Sequence, residues 1–304
     1  MLQELSHREI LQELRGPGIR LQIGPFGVTI RSDDMLFAST LHRLYADFPL
    51  LPQSEPSDFR MRLRRPQGLR RWWRPKVRFY LDDLQPFEAF PRRLTMPLFE
   101  WGFNWCIYEH AHEFLIIHAS VVERDGRALI MPAPPGSGKS TLCAALAYRG
   151  WRLLSDEFAL IRKTDGRVVP LPRPIGLKER SIDLIRALAP QAEFGPVFTD
   201  TRKGNVAHLR PPTSAVDLAS ETAVATWIVF PRYEMGARAT LQTLGKAAAF
   251  VKASGNCFNY DLLGGTGYDL LSRVIDQCAC SDLQFAELDQ ALELLATLVD
   301  GTLP

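Results

Sequence analysis

The sequence predicts an α/β protein with a phosphate-binding core and a β-rich N-terminal region. A predicted strand, a glycine-rich loop, a helix and a second strand follow one another between residues 128 and 154. Alternating apolar and polar residues, typical of half-buried strands, fill the first third of the chain. The 304 residues are 46% hydrophobic and 23% charged, which excludes a disordered chain and a disulfide mini-scaffold. We therefore expect a β-rich region over residues 1–93 and the core domain over residues 94–304.

The N-terminal region is predicted to begin with one helix and to continue as strands. Residues 1–15 have a helical pattern, which ends at Gly16-Pro17-Gly18. Four strands separated by turn residues are then expected, at Ile19–Ile23, Val28–Arg31, Phe59–Leu63 and Val77–Leu81. We interpret this region as a candidate unit for substrate docking.

Basic residues are concentrated in the N-terminal region although the whole chain is almost neutral. The formal net charge is +2, from 36 Lys and Arg against 34 Asp and Glu, yet residues 60–78 carry nine cations and no acid. This run could be a docking surface for an acidic protein or peptide, or simply a solvated hairpin. Trp72 and Trp73 lie within it and could stack bases, but the small net charge disfavours nucleic acid as a partner.

Cysteine usage and hydropathy predict a cytoplasmic protein. Five cysteines are present, an odd number, and none forms a Cys-x-x-Cys pair. No apolar run reaches the ~18 residues of a membrane-spanning helix, and the charged N-terminus is unlike a signal peptide. Cys278 and Cys280 would supply only half of a zinc site. We expect neither a membrane partner nor a structural zinc ion.

The elements of the core domain are predicted from the spacing of its apolar residues. Aromatic residues at three- and four-residue spacing indicate a buried helix over residues 94–111. Asp125-Gly126 predicts a hairpin between two strands, and the glycine-rich loop follows the second of them. The expected strands are Phe114–Val122, Ala128–Met131, Trp151–Leu154, Phe158–Arg162, Thr226–Phe230 and Thr240–Leu244. The expected helices are Leu142–Arg149 and, roughly, residues 178–188, 267–277 and 283–299.

The loop from Ala133 to Thr141 has the composition that binding of nucleotide phosphates requires. Its glycines let the backbone curl, so that N–H groups point inward at the start of a helix. Lys139 would reach the β- and γ-phosphates, and the Ser140 hydroxyl would ligate Mg²⁺. Ala133 replaces the first glycine of the usual motif, which is acceptable if its φ is negative. The predicted nucleotide-binding residues are Pro135, Gly136, Ser137, Gly138, Lys139, Ser140 and Thr141.

Three residues outside the loop are candidates for the chemistry beside it. Asp156 ends the strand after the loop helix, 17 positions beyond Lys139. A carboxylate there could accept a proton from an incoming hydroxyl. Glu157 could reach the metal through a water molecule. His118 lies in an apolar strand, 21 residues before Lys139, where a packed core histidine is the common alternative.

Three elements, taken with their spacing, resemble the catalytic core of HPr kinase/phosphorylase. They are His118-Ala119-Ser120, Gly136-Ser137-Gly138-Lys139-Ser140 and Gly150-Trp151-Arg152-Leu153-Leu154-Ser155-Asp156-Glu157. The resemblance covers residues 114–162. It implies a P-loop kinase core of the HPr kinase/phosphoenolpyruvate carboxykinase type, which phosphorylates a protein serine with ATP and Mg²⁺. It also implies Asp156 as catalytic base, His118 as its assistant, Lys139 as phosphate ligand and Ser140 as metal ligand.

The sequence departs from that family at several positions. Glu157 replaces the second aspartate of the family pair, and Glu179 is a weak candidate for its further metal carboxylate. The segment containing Arg202, Lys203 and Asn205 faintly resembles the basic substrate loop of the family, with an exposed turn as the alternative. We therefore expect the acceptor to be either an HPr-like protein or a ribosomal precursor peptide.

Two other functions remain open from the sequence. One is a small-molecule kinase with the same core, and the other is a nucleotide-binding regulatory protein without catalysis. The replacements at Ala133 and Glu157 favour the second, whereas His118 and Asp156 beside an intact Gly-Lys-Ser argue against it. The apolar face of the helix expected over residues 283–299 would close the core or form a contact in a homo-oligomer.

Overall fold

A computed structural model describes residues 1–66, 75–201 and 204–299 of the chain. The chain forms two compact units. Unit 1 contains residues 1–111, 173–186 and 190–217, and unit 2 contains residues 112–172, 187–189 and those from 218 onward. Both units combine helices with β-sheet, so the predicted α/β class is confirmed. Helices and strands are numbered below along the chain.

Unit 1 is built around a five-stranded sheet. Its strands, in spatial order, are β1 (Ile19–Ile23), β2 (Phe26–Ser32), β3 (Phe59–Arg64), β4 (Lys76–Leu81) and β5 (Phe90–Pro91). Neighbours are antiparallel except for the parallel pair β2 and β3. Along β3, Phe59, Met61 and Leu63 are buried, and the arginines between them point to the opposite face.

The helices of unit 1 show how capping residues set helix boundaries. The first three are α1 (His7–Arg15), α2 (Met35–Leu44) and α3 (Thr95–His110). Ser6 and Glu9 form a capping box, so α1 starts at residue 7 instead of residue 1. Helix α2 was not predicted from the sequence, and its first turn is capped by the side chain of Asp34.

A three-stranded sheet completes unit 1. Its strands, in spatial order, are β11 (Ile175–Lys178), β13 (Gly204–Leu209) and β12 (Phe198–Thr201), all antiparallel to their neighbours. Two helices accompany these strands in the sequence, α5 (Arg180–Leu188) and α6 (Thr213–Asp217).

Unit 2 is organised by an eight-stranded sheet. The spatial order is β10-β9-β6-β7-β14-β16-β15, and β8 pairs with β6 off this path. The strands are β6 (Phe114–Arg124), β7 (Arg127–Pro132), β8 (Arg152–Ser155), β9 (Phe158–Arg162), β10 (Val168–Val169), β14 (Val224–Tyr233), β15 (Thr240–Thr243) and β16 (Ala279–Phe285). Because β7, β14 and β16 are parallel, their carboxyl ends meet at one edge of the sheet.

The helices of unit 2 cover this sheet and bury its apolar side chains. They are α4 (Lys139–Ala147), α7 (Lys246–Ser254), α8 (Tyr260–Leu263), α9 (Gly265–Gln277) and α10 (Leu288–Val299). Leu271 and Val274 of α9 share one buried core with Ile117 of β6 and Ile228 of β14. In the described part of the chain, no helix is long and apolar enough to span a membrane.

The prediction of one long helix over residues 283–299 is wrong in its first turn. Residues 279–285 form β16, in which alternate residues are buried, and α10 starts only at Leu288. The apolar residues Leu283 and Phe285 fit both a strand and a helical pattern. These residues form a strand because β16 pairs with β14 on one side and with β15 on the other.

Candidate functional site

The loop of residues 133–138, here called the glycine loop, connects β7 to the start of α4. Gly136 and Gly138 have φ angles of 90° and 88°, which side chains other than glycine adopt rarely. At Gly138 a Cβ atom would also lie 2.7 Å from the Phe285 ring, so no larger residue fits without a shift. Ala133 is buried and its φ is not positive, so the alanine is compatible with the loop backbone.

The glycine loop has the features that a phosphate group needs. Its first glycine with positive φ, Gly136, faces open space, because an added Cβ would meet no atom within 4 Å. The hydroxyl of Ser137 is buried and makes no hydrogen bond. The loop leads into the N-terminus of α4, where backbone N–H groups are unpaired and the helix dipole is positive. A bound phosphate would supply the acceptor that these donors lack.

Asp156 lies in the turn between β8 and β9, next to the glycine loop. Its side chain is only 4% exposed. The Ser120 hydroxyl, on β6, lies 2.8 Å from its Oδ1 atom and 3.0 Å from its backbone oxygen. The hydroxyl of Ser140, in the first turn of α4, also hydrogen-bonds the carboxylate. Two hydroxyl groups from two elements therefore hold Asp156 in place.

The surroundings of Asp156 raise its pKa from 3.8 to about 7. Burial is the largest cause, because it removes the ionised carboxylate from water, and the negative charge of Glu157 adds to it. The positive charge of Lys139 and the hydrogen bonds of Ser120 and Ser140 oppose the increase. A carboxyl group with a pKa near neutrality can both accept and release a proton at physiological pH.

His118 contacts Glu157 in the structure. Its Nε2 atom lies 3.5 Å from Oε2 of Glu157, which is 42% exposed. The backbone N–H of His118 donates to the carbonyl of Asn256, and its ring packs against Phe258. These contacts place His118 and Glu157 together at the edge of the site, while Ser120 is the residue on β6 that touches Asp156.

Sequence reasoning missed Ser120 as a site residue. Ser120 is two residues after His118 on the same strand, so both side chains point to the same face of the sheet. This periodicity is the only indication that the sequence carries, since serine is common and the partner strand is unknown before folding. Ser120 is fully buried, and a buried hydroxyl needs a partner, which here is Asp156.

A groove of about 640 Å³ opens beside the glycine loop. It is lined by Pro132 at the end of β7, by residues 133, 134 and 137 of the glycine loop, and by the carboxyl ends of β14 and β16. Its polar and charged walls include Arg232, Lys252, Asn256 and Asp282, and Phe230 contributes an apolar wall. Lys252 and Asp282 form an ion pair of 2.6 Å within it. Because Asn256 is also the backbone partner of His118, the groove extends from the glycine loop toward that histidine.

The remaining predicted site residues are distributed as follows. Pro135 is exposed, and Thr141 is half-buried in the first turn of α4. Asn205 lies on β13 in unit 1, where its backbone N–H donates to the Glu179 carboxylate at 2.7 Å. Arg202 and Lys203 lie outside the described residues, as do the central residues 67–74 of the basic run.

The described residues contain no cluster of three or more His, Cys, Asp or Glu side chains that would hold a metal ion. A magnesium ion bound together with a nucleotide needs fewer protein ligands, because phosphate oxygens and water fill most of its coordination shell. Ser140 and the neighbouring carboxylates supply the hard oxygen ligands that magnesium prefers. The donor set therefore fits magnesium only as part of a metal–nucleotide complex.

Comparison with known families gives one match. Residues 99–251, about half of the chain, match the family described as SynChlorMet cassette protein ScmC. The matched range includes His118, the glycine loop, Asp156 and Glu157. No curated protein matches the sequence as a relative.

The assignment to HPr kinase/phosphorylase is therefore wrong. The family that the chain matches is a different one, and the HPr kinase family itself gives no match. The physical reason is that the elements of the resemblance are short and are required by phosphate binding itself: a Gly-Ser-Gly-Lys-Ser loop and an acid at a strand end. Such elements indicate a phosphate-binding site, but they carry little information about which family the protein belongs to.

Proposed function

The chain belongs to the SynChlorMet cassette protein ScmC family, and from its site we propose that it is an ATP- and Mg²⁺-dependent phosphotransferase. It transfers the γ-phosphate of ATP to a serine-type hydroxyl of a peptide or protein. The observation that carries this proposal is the buried Asp156, with a pKa of about 7, hydrogen-bonded to the first turn of the helix that follows the glycine loop. A protein that only binds nucleotide has no need of such a base.

The nucleotide phosphates are proposed to lie on the glycine loop. The loop N–H groups, the Ser137 hydroxyl and the start of α4 would bind them, and the ammonium group of Lys139 would neutralise their charge. Magnesium, held by Ser140 and through water by Glu157, would add charge neutralisation on the phosphate oxygens. The succession of β7, glycine loop, α4 and β8 with Asp156 at its end supports a P-loop type of kinase core.

Asp156 is proposed as general base. Its carboxylate accepts the proton of the acceptor hydroxyl, while the hydroxyl oxygen forms a bond to the γ-phosphorus. The bond between the γ-phosphorus and the bridging oxygen breaks, and ADP leaves with that oxygen. Ser120 holds the carboxylate in a fixed orientation, and Lys139 keeps part of the Asp156 population ionised. Positioning and charge neutralisation account for most of the rate in such reactions.

The groove beside the glycine loop is proposed as the acceptor site. It borders the first loop residues and the ends of two parallel strands, where ligands of α/β sheets commonly bind. Its volume of about 640 Å³ suits several residues of a peptide, and its walls carry both charges and hydrogen-bonding groups. A peptide or protein segment therefore fits it better than a single small metabolite.

Labelling from γ-labelled ATP tests the proposal. The wild-type protein, with Mg²⁺ and a fractionated lysate, should label a peptide or protein acceptor. Asp156→Asn should bind ATP but lose transfer by about 10²–10⁴-fold. Asp125→Asn is the matched control, because Asp125 is an exposed aspartate of unit 2 with a φ of 54°, which asparagine tolerates.

Three results would contradict the proposal. If Asp156→Asn transfers phosphate as fast as wild type and Asp125→Asn, then Asp156 is not the base. If the label appears only in molecules that pass a peptide-retaining filter, the protein is a small-molecule kinase instead. Binding of ATP without any labelled product would favour a regulatory nucleotide-binding protein.

A further inference from the structure

Unit 1 contains a pocket of about 650 Å³ whose walls are dominated by arginine. We call it the arginine pocket and define it by Arg15, Arg31, Arg64, Arg65, Arg92 and Asp33, with smaller neighbouring residues. It lies where the end of α1, the end of β2 and the end of β3 come together. The described half of the basic run 60–78 contributes Arg64 and Arg65 to it, so part of that run lines a concave site.

The positive charge of the arginine pocket is only partly neutralised within unit 1. Arg65 pairs with Asp33 at 2.8 Å, and Arg92 pairs with Asp34 at 2.5 Å. The Nε atom of Arg31 donates to the carbonyl of Pro17, which carries no net charge. Among the described residues, Arg15, Arg31 and Arg64 have no carboxylate partner. Three cations therefore face the pocket without a counter-charge.

The register of the sheet concentrates this charge further. Arg64 on β3 stands directly opposite Arg78 on β4, and Arg31 on β2 stands opposite Arg62 on β3. Like charges in facing positions destabilise a sheet unless a counter-charge compensates them. The Nε atom of Arg78 is buried and makes no hydrogen bond. Arg62 has a counter-charge, because it pairs with Asp83 at 2.7 Å. No described carboxylate pairs with Arg64 or Arg78, and together with the unused donor of Arg78 this indicates that an anionic group is missing from this face.

We propose that the arginine pocket binds an acidic segment of a peptide or protein partner. Arginine presents two parallel N–H donors that match the two oxygens of a carboxylate, which makes it the favoured residue for recognising Asp and Glu side chains. The volume of the pocket accommodates several side chains. None of its described lining residues is aromatic, whereas single-stranded nucleic acids bind by stacking on aromatic side chains.

This proposal does not depend on phosphoryl transfer. The pocket lies within unit 1, whereas the glycine loop and Asp156 belong to unit 2. Loss of binding at the pocket and loss of transfer at Asp156 are therefore separate results. Asp156→Asn should bind the acidic segment as wild type does.

Fluorescence anisotropy with a labelled peptide rich in Asp and Glu tests the proposal. The same peptide with Asn and Gln at those positions is the ligand control. The acidic peptide should bind, and its affinity should fall as salt rises, because the contacts are between exposed charges. The double variant Arg15→Gln/Arg64→Gln should weaken binding by about tenfold, since it removes two charged hydrogen-bonding partners.

The matched control is the double variant Arg8→Gln/Arg180→Gln, which removes two exposed arginines of unit 1 outside the pocket. It should bind the acidic peptide like wild type, and thermal unfolding should show that both variants remain folded. Equal weakening by the two double variants, or equal binding of the Asn/Gln peptide, would overturn the proposal. Tighter binding of a single-stranded oligonucleotide than of the acidic peptide would assign the surface to nucleic acid and overturn it as well.

Discussion

Each of the two units buries a carboxyl group, and the charges and hydrogen-bond donors around the two groups differ. In unit 1, Glu100 accepts from Arg173 at 2.5 Å and from the Tyr45 hydroxyl at 2.7 Å, and Arg173 also donates to Asn104 at 2.6 Å. In unit 2, the carboxylate of Asp156 has hydroxyl donors, and the nearby Glu157 carries the same charge. Burial is nearly complete in both cases.

The difference separates a carboxylate held in an ion pair from a carboxyl group whose pKa is raised to near neutrality. Arg173 provides Glu100 with a full opposite charge and a planar fork of donors. Around Asp156, burial and Glu157 outweigh Lys139 and the hydroxyl groups, so its pKa rises to about 7. Glu100 is thus a paired carboxylate in the packing of unit 1, whereas the pKa of Asp156, beside the glycine loop, lies near neutrality.

Removal of Arg173 should have the largest effect on stability. Arg173→Met leaves Glu100 buried without its cation, and we expect a loss of about 3–5 kcal/mol in the free energy of unfolding. Urea denaturation measures this loss. The double variant Glu100→Gln/Arg173→Met should recover part of it, because no unpaired charge then remains. A loss below about 1 kcal/mol for Arg173→Met would show that the pair is not structural.

Asp156→Asn should increase the stability of the protein near neutral pH, whereas Arg173→Met decreases it. The raised pKa means that folded Asp156 keeps its proton between pH 4 and 7, while the unfolded chain loses it. The contribution of Asp156 to wild-type stability is therefore largest below pH 4 and falls as pH rises to about 7. Relative to Asp156→Asn, the fall should be at most about 4 kcal/mol, because the pKa of Asp156 is raised from 3.8 to about 7.

This stability difference can be measured by urea denaturation at several pH values. Asp125→Asn, an exposed aspartate change in the same unit, should show no comparable pH dependence. If the difference between wild type and Asp156→Asn is constant from pH 4 to 8, the pKa of Asp156 is not raised.

Ser120→Ala should change the pKa of Asp156 by less than burial does. The hydrogen bond from Ser120 lowers that pKa, so its removal should raise the pKa by about one unit, a charged hydrogen bond being worth roughly 1.5–3 kcal/mol. The pH dependence of phosphoryl transfer reports the shift. Ser120→Thr keeps the hydroxyl and should restore the wild-type profile. If the pH profile of phosphoryl transfer is unchanged in Ser120→Ala, Ser120 does not affect the pKa of Asp156.

Of these variants, Glu157→Gln should have the smallest effect on the pKa of Asp156. Its negative charge raises the pKa of Asp156, so neutralisation should lower that pKa by less than about one unit, since Glu157 is 42% exposed and screened by water. The pH-dependent unfolding of Glu157→Gln in metal-free buffer measures this change. An increase in the pKa of Asp156 would contradict the assigned role of Glu157.

Local patterns in the sequence were sufficient to predict much of unit 2. The hairpin at Asp125-Gly126 and the strand, loop and helix around Lys139 follow from neighbouring residues. The glycine loop could be located because few sequences combine Gly-Ser-Gly with Lys-Ser after a buried strand. The position of Asp156 beside the loop follows from one short helix and one short strand between them.

The contacts that determine the site depend on residues distant in sequence. Ser120 lies 36 residues before Asp156, and the pairing of β6 with β8 and with β9 brings the two together. Residues 283–285, predicted as the first turn of the last helix, belong to β16 because β14 and β15 flank this strand. Such pairings are set by tertiary packing, which overrides local preference, so the local pattern alone does not identify the partner strands.

The pH dependence of the γ-phosphate transfer rate tests the central claim most directly. With water as acceptor, ATP hydrolysis can be followed even before the natural acceptor is known. For the wild-type protein, kcat/KM should rise tenfold per pH unit up to about pH 7 and be constant above it, because Asp156 must be ionised. Asp156→Asn should give a low rate without this rise. A wild-type rate that is constant from pH 5 to 8, or an identical profile in Asp156→Asn, would contradict the role of Asp156 as the base.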